Sequence, residues 1–96
     1  MRHSNDQTLK DAINSMLKEY KLEDKMMEVK LVESWEKVMG PTVAKRTTNI
    51  KIFSKKLFVN LSSASLRQEL FLEREKIVKL LNDAAGGNVI EEVVFQ

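Results

Sequence analysis

Apolar side chains at Leu9, Ala12, Ile13, Met16, Leu17 and Tyr20 recur at i, i+3, i+4, i+7, i+8 and i+11, the spacing of one face of an amphipathic helix. A second helix is predicted from about Glu23 to Met39, because Met27, Leu31, Trp35 and Val38 fall within about 80° of one another at 100° per residue. Gly40 and Pro41 then stop it, since glycine accepts a left-handed cap and proline cannot continue the same helix. Pro41 can also open a short helical turn through Ala44.

From Thr47 the period falls to two. Thr48, Ile50 and Ile52 alternate with Asn49, Lys51 and Phe53, and Leu57, Val59 and Leu61 alternate with Phe58, Asn60 and Ser62, as expected of a hairpin with one aliphatic face. Pairing Ile52 with Leu57, Ile50 with Val59 and Thr48 with Leu61 keeps that face intact and leaves Ser54-Lys55 as a two-residue turn. The turn has no glycine, so a register two residues longer is a second option with the same faces. Ser65-Leu66-Arg67-Gln68 has the form of a capping box and opens a third helix, whose stripe of Leu66, Leu70, Ile77, Leu81 and Ala84 runs to the stop at Gly86-Gly87. Val89 to Phe95 reads as a strand that joins the hairpin. The order is ααββαβ, and the expected fold class is α+β: a three-stranded sheet packed on helices in a single domain over residues 1–96.

Composition removes most chemistries. The chain has 96 residues, no cysteine and one histidine, His3, which excludes disulfides, thiol catalysis and a cysteine or histidine metal cluster. No apolar run approaches the roughly 20 residues of a membrane span, and the polar N-terminus lacks a signal-peptide core, so the expected location is the cytoplasm. A domain this small leaves little depth for an enclosed active site. Walker, H-E-x-x-H and G-x-S-x-G motifs are missing. Glu19 and Glu23 could be paired as acid/base or metal groups, but no further ligand or nucleophile converges on them, and a solvated face bridged by Lys25, Lys30 and Lys37 accounts for them. The expectation is a protein that is no enzyme and takes no cofactor, metal or small-molecule substrate.

Charge points elsewhere. Residues 1–40 carry seven basic and eight acidic side chains, and residues 41–96 carry nine and six. Between Glu36 and Glu69 there is no acid, while Lys37, Lys45, Arg46, Lys51, Lys55, Lys56 and Arg67 are basic, the footprint of a surface that meets phosphate. The outward face of the hairpin combines Lys51, Lys55 and Lys56 with Phe53 and Phe58. Rings there can stack on bases while lysines follow the phosphates; the two phenylalanines can equally support each other across the strands or bury against a partner protein. On the third helix Arg67 and Arg74 share a side and can flank a nucleic-acid strand or an acidic partner, or only cover apolar surface with their stems. Trp35 sits on an apolar stripe and is expected in the core, with its indole N–H in need of a partner.

The series Trp35-Glu36-Lys37-Val38-Met39-Gly40, then Ala44 and Thr47, the Leu57-x-Val59-x-Leu61 strand, Ser63 to Leu70 with Gln68-Glu69-Leu70, Leu80-Leu81-Asn82 and the strand from Val89 to Phe95 resembles the DciA-type replicative helicase operators of bacteria. The resemblance spans roughly residues 9 to 96, with Trp35 and Gly40 as its signature. It implies a KH-like fold, DNA binding and an interaction with the replicative helicase that assists its loading. Leu66 stands where the family often has a second tryptophan. No G-x-x-G segment is present, so the backbone clamp of KH domains is not expected. The chain ends at Gln96 without the long flexible extension of many members, and a function housed there is expected to be missing. The reading is therefore a replication accessory protein with two partners, DNA, single- or double-stranded, and the replicative helicase. DNA contacts fall to Lys45, Arg46, Lys51, Phe53, Lys55, Lys56, Phe58, Arg67 and Arg74. The alternative is a protein-interaction module whose basic hairpin docks an acidic protein.

Overall fold

The computed structural model describes residues 5–96, with side chains from residue 8 onward; His3 lies outside the described residues. The elements are α1 (Asn5–Glu33), α2 (Trp35–Met39), α3 (Pro41–Arg46), β1 (Thr47–Phe53), β2 (Lys56–Leu61), α4 (Ala64–Leu72), α5 (Arg74–Ala85) and β3 (Glu92–Phe95). The sheet has the order β1-β2-β3, antiparallel between β1 and β2 and parallel between β2 and β3. This is an α+β fold with a three-stranded sheet. No helix among the described residues is long and apolar enough to cross a membrane.

The core lies between the aliphatic face of the sheet and the helices. It joins Leu57, Val59 and Leu61 of β2 and Val93 of β3 to Leu31, Trp35, Leu70, Ile77, Leu81, Ala85 and Ile90. Trp35 is 4% exposed, and its indole Nε1–H donates to Thr47 Oγ1 at 2.9 Å, which in turn donates to the Val43 carbonyl at 2.9 Å. The predicted core position of Trp35 is thus met, and a hydroxyl at the start of β1 supplies the partner that a buried indole needs. Gly40, at φ 91°, joins α2 to α3 in a conformation that side chains avoid.

The helices differ from the sequence reading in three places. The boundary of the first two expected helices moves: α1 runs unbroken through residues 20–23, where nothing in the sequence stops it, and the break falls instead at Ser34, inside the expected second helix, whose last residues form α2; Ser34 Oγ donates back to the Leu31 carbonyl at 2.7 Å. The third expected helix is two, broken at Glu73 (φ −103°, ψ 13°), and Arg74 Nη1 donates to the Phe71 carbonyl at 2.9 Å, satisfying one of the acceptors freed at the end of α4. Its N-cap is Ser63 rather than Ser65, with Ser63 Oγ accepting from the Leu66 amide at 3.3 Å; the chain leaves β2 at Leu61 and turns at once. The strand expected from Val89 starts only at Glu92, because Asn82 holds the preceding residues. Asn82 Oδ1 accepts from the Val89 and Ile90 amides, both at 3.0 Å, and its Nδ2 donates to the Ile90 carbonyl at 2.9 Å.

The hairpin register is the shorter of the two expected, with Ile50 opposite Val59 and Ile52 opposite Leu57. One pair changes: a bulge between Thr47 and Asn49 puts Thr47, not Thr48, opposite Leu61. The extra residue reverses the alternation, which turns Thr47 inward to Trp35 and leaves Thr48 exposed. The turn is closed by Ser54 (φ 52°) and Lys55 (φ 62°), the left-handed pair that a type I′ turn requires.

The largest departure concerns the stripe from Leu9 to Tyr20. It was expected to pack on the sheet, and it does not: residues 8–26 are all exposed. Only the end of α1, from Met27 to Val32, joins the body. The molecule measures 68 × 20 × 20 Å with a radius of gyration of 18.3 Å, against about 12.5 Å for a compact chain of this length.

Candidate nucleic-acid interface

The outward face of the sheet is built by alternation. Asn49 lies opposite Asn60, Lys51 opposite Phe58 and Phe53 opposite Lys56, and β3 extends these rows with Val94 beside Phe58 and Glu92 beside Lys56. Phe53, at the end of β1, is 72% exposed; Phe58, flanked on both sides, is half-buried. Lys55 sits at the tip of the turn. The structure therefore brings Lys51, Phe53, Lys56 and Phe58 onto one end of one face, whereas Lys55, in the adjoining turn, lines a depression with Asp24 and Glu28 of α1.

The acid-free stretch of the sequence is not acid-free in space. β3 runs parallel to β2, and the Glu91 amide donates to the Lys55 carbonyl at 2.7 Å, so two carboxylates arrive at the turn. Lys56 Nζ lies 3.7 Å from Glu92 Oε2, the single ion pair among the described residues. Both side chains are half-exposed, so the pair contributes no more than about 1 kcal/mol; its effect is to lower the positive potential beside Phe53. Lys51 and Lys55 form no ion pair, but Lys55 shares a depression with Asp24 and Glu28, so Lys51 is the cation at this end with no acid beside it.

Lys45 and Arg46 occupy the other end. They close α3 and, with Pro41 and Thr42, line an open depression of about 500 Å³. The Arg46 carbonyl accepts from the Ser62 amide at 2.8 Å, which fixes this group beside the end of β2. Arg67 lies at the same end, but its Nη1 donates to the Leu61 carbonyl at 3.0 Å. At about 3.3 Å per residue, β1 separates the two basic groups by about 20 Å.

Arg74 joins neither group. Its guanidinium lies over the Phe71 ring at 4.1 Å from the centroid, in a depression shared with Glu75, Glu91 and Glu92. The break at Glu73 removes the single helical face on which Arg67 and Arg74 were expected together. The sequence reading also missed Glu92 as the partner of Lys56, since its place depends on which strand β3 pairs with, and Asn82, whose role only the return of the chain past α5 reveals. Among the described residues no group of three or more His, Cys, Asp or Glu side chains is placed to hold a metal ion.

The family described as Dna[CI] antecedent, DciA, matches this chain over residues 8–95. The chain belongs to the DciA family. DciA is the helicase loader and operator family, and its work lies in replication and helicase loading. The match takes in both the sheet face and nearly all of α1, so the projecting helix is part of the DciA region. No curated protein and no solved structure matches the chain.

Proposed function

We propose that this DciA protein is a non-catalytic, cytoplasmic accessory factor of replication that binds DNA through the outward face of its hairpin and recruits the replicative helicase. The observation that carries the DNA reading is Phe53, an open aromatic ring on the same face as Lys51 and next to the turn that holds Lys55. A ring left in water beside two unpaired cations is suited to stack on a base while the cations follow the backbone. Lys55 adds support, because a lysine holds a left-handed turn position that glycine would fill at lower cost, roughly 1 kcal/mol less. Lys45 and Arg46 lengthen the path: about 20 Å matches six nucleotides of a B-form strand at about 3.4 Å each.

With Lys56 paired to Glu92, two to four phosphate contacts remain. Log K for a single strand should then fall with log salt at a slope of roughly −1.5 to −3. Replacing Lys51 and Lys55 with Glu should lower affinity for every sequence and flatten that slope. Phe53→Ala should weaken single-strand binding while leaving the slope in place, since stacking releases no counterions. A fluorescence titration at about 50 mM salt with no binding to any DNA overturns the DNA reading. It would leave the hairpin as a docking face for an acidic protein, which a pull-down with the replicative helicase, with and without DNA, would then test.

A further inference from the structure

The open face of α1 points to a second copy of this chain: we propose that the projecting stretch from Leu9 to Tyr20 pairs antiparallel with the same stretch of another protomer. Leu9, Ile13, Met16 and Tyr20 form one stripe, 44–61% exposed, and the same face continues into Met27 and Leu31. At those two residues it is covered by α5; toward the N-terminus none of the described residues covers it.

Three observations favour self-pairing. The spacing of 4, 3 and 4 residues is that of a coiled-coil seam, and it is symmetric about its own centre. An antiparallel copy sets Leu9 against the partner's Tyr20 and Ile13 against the partner's Met16, and each layer occurs twice with no charged residue in it. Residues 8–26 carry four basic and four acidic side chains, so two copies meet without net repulsion, and the stretch has no field to draw DNA. In this register the N-terminus of one α1, which begins at Asn5, lies level with the partner's Glu23 and Asp24, where acidic groups are favoured by the helix dipole. A parallel copy would instead set Glu23 on Glu23 and drive the two bodies together where α5 covers Met27.

The area suffices. With Leu17 at its flank, the stripe offers five large side chains with roughly 100 Å² open on each, so two copies bury about 1,000 Å², the lower bound for a specific interface. The helix also gains from a cover, because an amphipathic helix draws most of its stability from packing its apolar face. At four-residue spacing this one sets like charges together, Glu19 with Glu23, Lys21 with Lys25 and Asp24 with Glu28, which offset the opposite charges three apart, Lys21 with Asp24 and Lys25 with Glu28, so its own side-chain pairs lend it little.

Light scattering on a concentration series up to about 100 μM should show a mass approaching twice 11.1 kDa, and Ile13→Glu should return it to the monomer with the near-UV signal of Trp35 unchanged. Leu22→Glu, on the opposite face, should leave the dimer intact. The chain has no cysteine, so register can be read directly: Leu9→Cys mixed with Tyr20→Cys should form a crosslinked pair faster than either variant alone. A monomer at every concentration overturns the proposal, as does a dimer that survives Ile13→Glu, or same-residue crosslinks that outrun the mixed one. A chain that stays monomeric until the replicative helicase is added, and binds it through the same residues, overturns it in favour of a helicase-docking helix. None of these readouts depends on DNA binding.

Discussion

Two stretches of α1 carry the same kind of apolar stripe and meet different fates. Met27, Leu31 and Val32 face α5 and the sheet, with Leu31 fully buried. Leu9 to Tyr20, on the same helix and the same face, meets no other element among the described residues. Periodicity reports which side of a helix is apolar; it does not report what covers that side. In the body the cover comes from residues far along the chain, while the projecting half lies beyond their reach, because about 19 helical residues extend some 29 Å from a body about 20 Å across.

The sharpest test of this contrast is Trp35→Ala. Removing a buried tryptophan costs about 3–5 kcal/mol of a total near 5–15 kcal/mol, so urea unfolding should show a body lost or close to lost at room temperature. Melting like the parent protein would mean that the body, too, is held from outside.

Asn82→Ala should come next. It removes the side chain that satisfies the amide and carbonyl of buried Ile90, while the Val89 amide keeps the Gly87 carbonyl, and leaving buried backbone groups without partners costs about 2–3 kcal/mol. Hydrogen exchange at Val89 and Ile90 should quicken, and a variant with the parent's exchange rates would show that β3 is held by its pairing to β2 alone.

Leu22→Ser should do least. Leu22 is open to water and lies off the stripe, so the midpoint of body unfolding should move by no more than about 0.5 kcal/mol. A shift as large as that of Asn82→Ala would erase the contrast between the two halves of α1.

Much of the fold was legible in the chain. Alternation from Asn49 to Leu61 narrowed the hairpin to two registers with the same faces, since a slip by one residue would turn the aliphatic side outward, and the left-handed pair Ser54-Lys55 settles the shorter one. Trp35 was legible as core from its neighbours at helical spacing. The ends of helices were harder: Ser65-x-x-Gln68 satisfies a capping pattern as well as Ser63 does, and only the exit of β2 at Leu61 chooses between them. The candidate site was legible in residue type and incomplete in charge. Lys51, Phe53 and Lys55 follow from alternation, whereas the neutralisation of Lys56 by Glu92 rests on a contact between residues 36 positions apart.

By itself the sequence determined which stretches are helical and which are strands, the aliphatic face of the sheet and the family to which the chain belongs, because periodicity, glycine and proline signals and an ordered series of residues are local and additive. Tertiary structure alone decided that α1 is one helix with half its stripe uncovered, that Thr47 rather than Thr48 meets the tryptophan, and that β3 lies along β2 and carries its acids to the basic turn. Each of these depends on which distant segments share a boundary. A local pattern states that a face must be buried or a charge solvated, but the partner that does so is chosen by the packing of the whole chain.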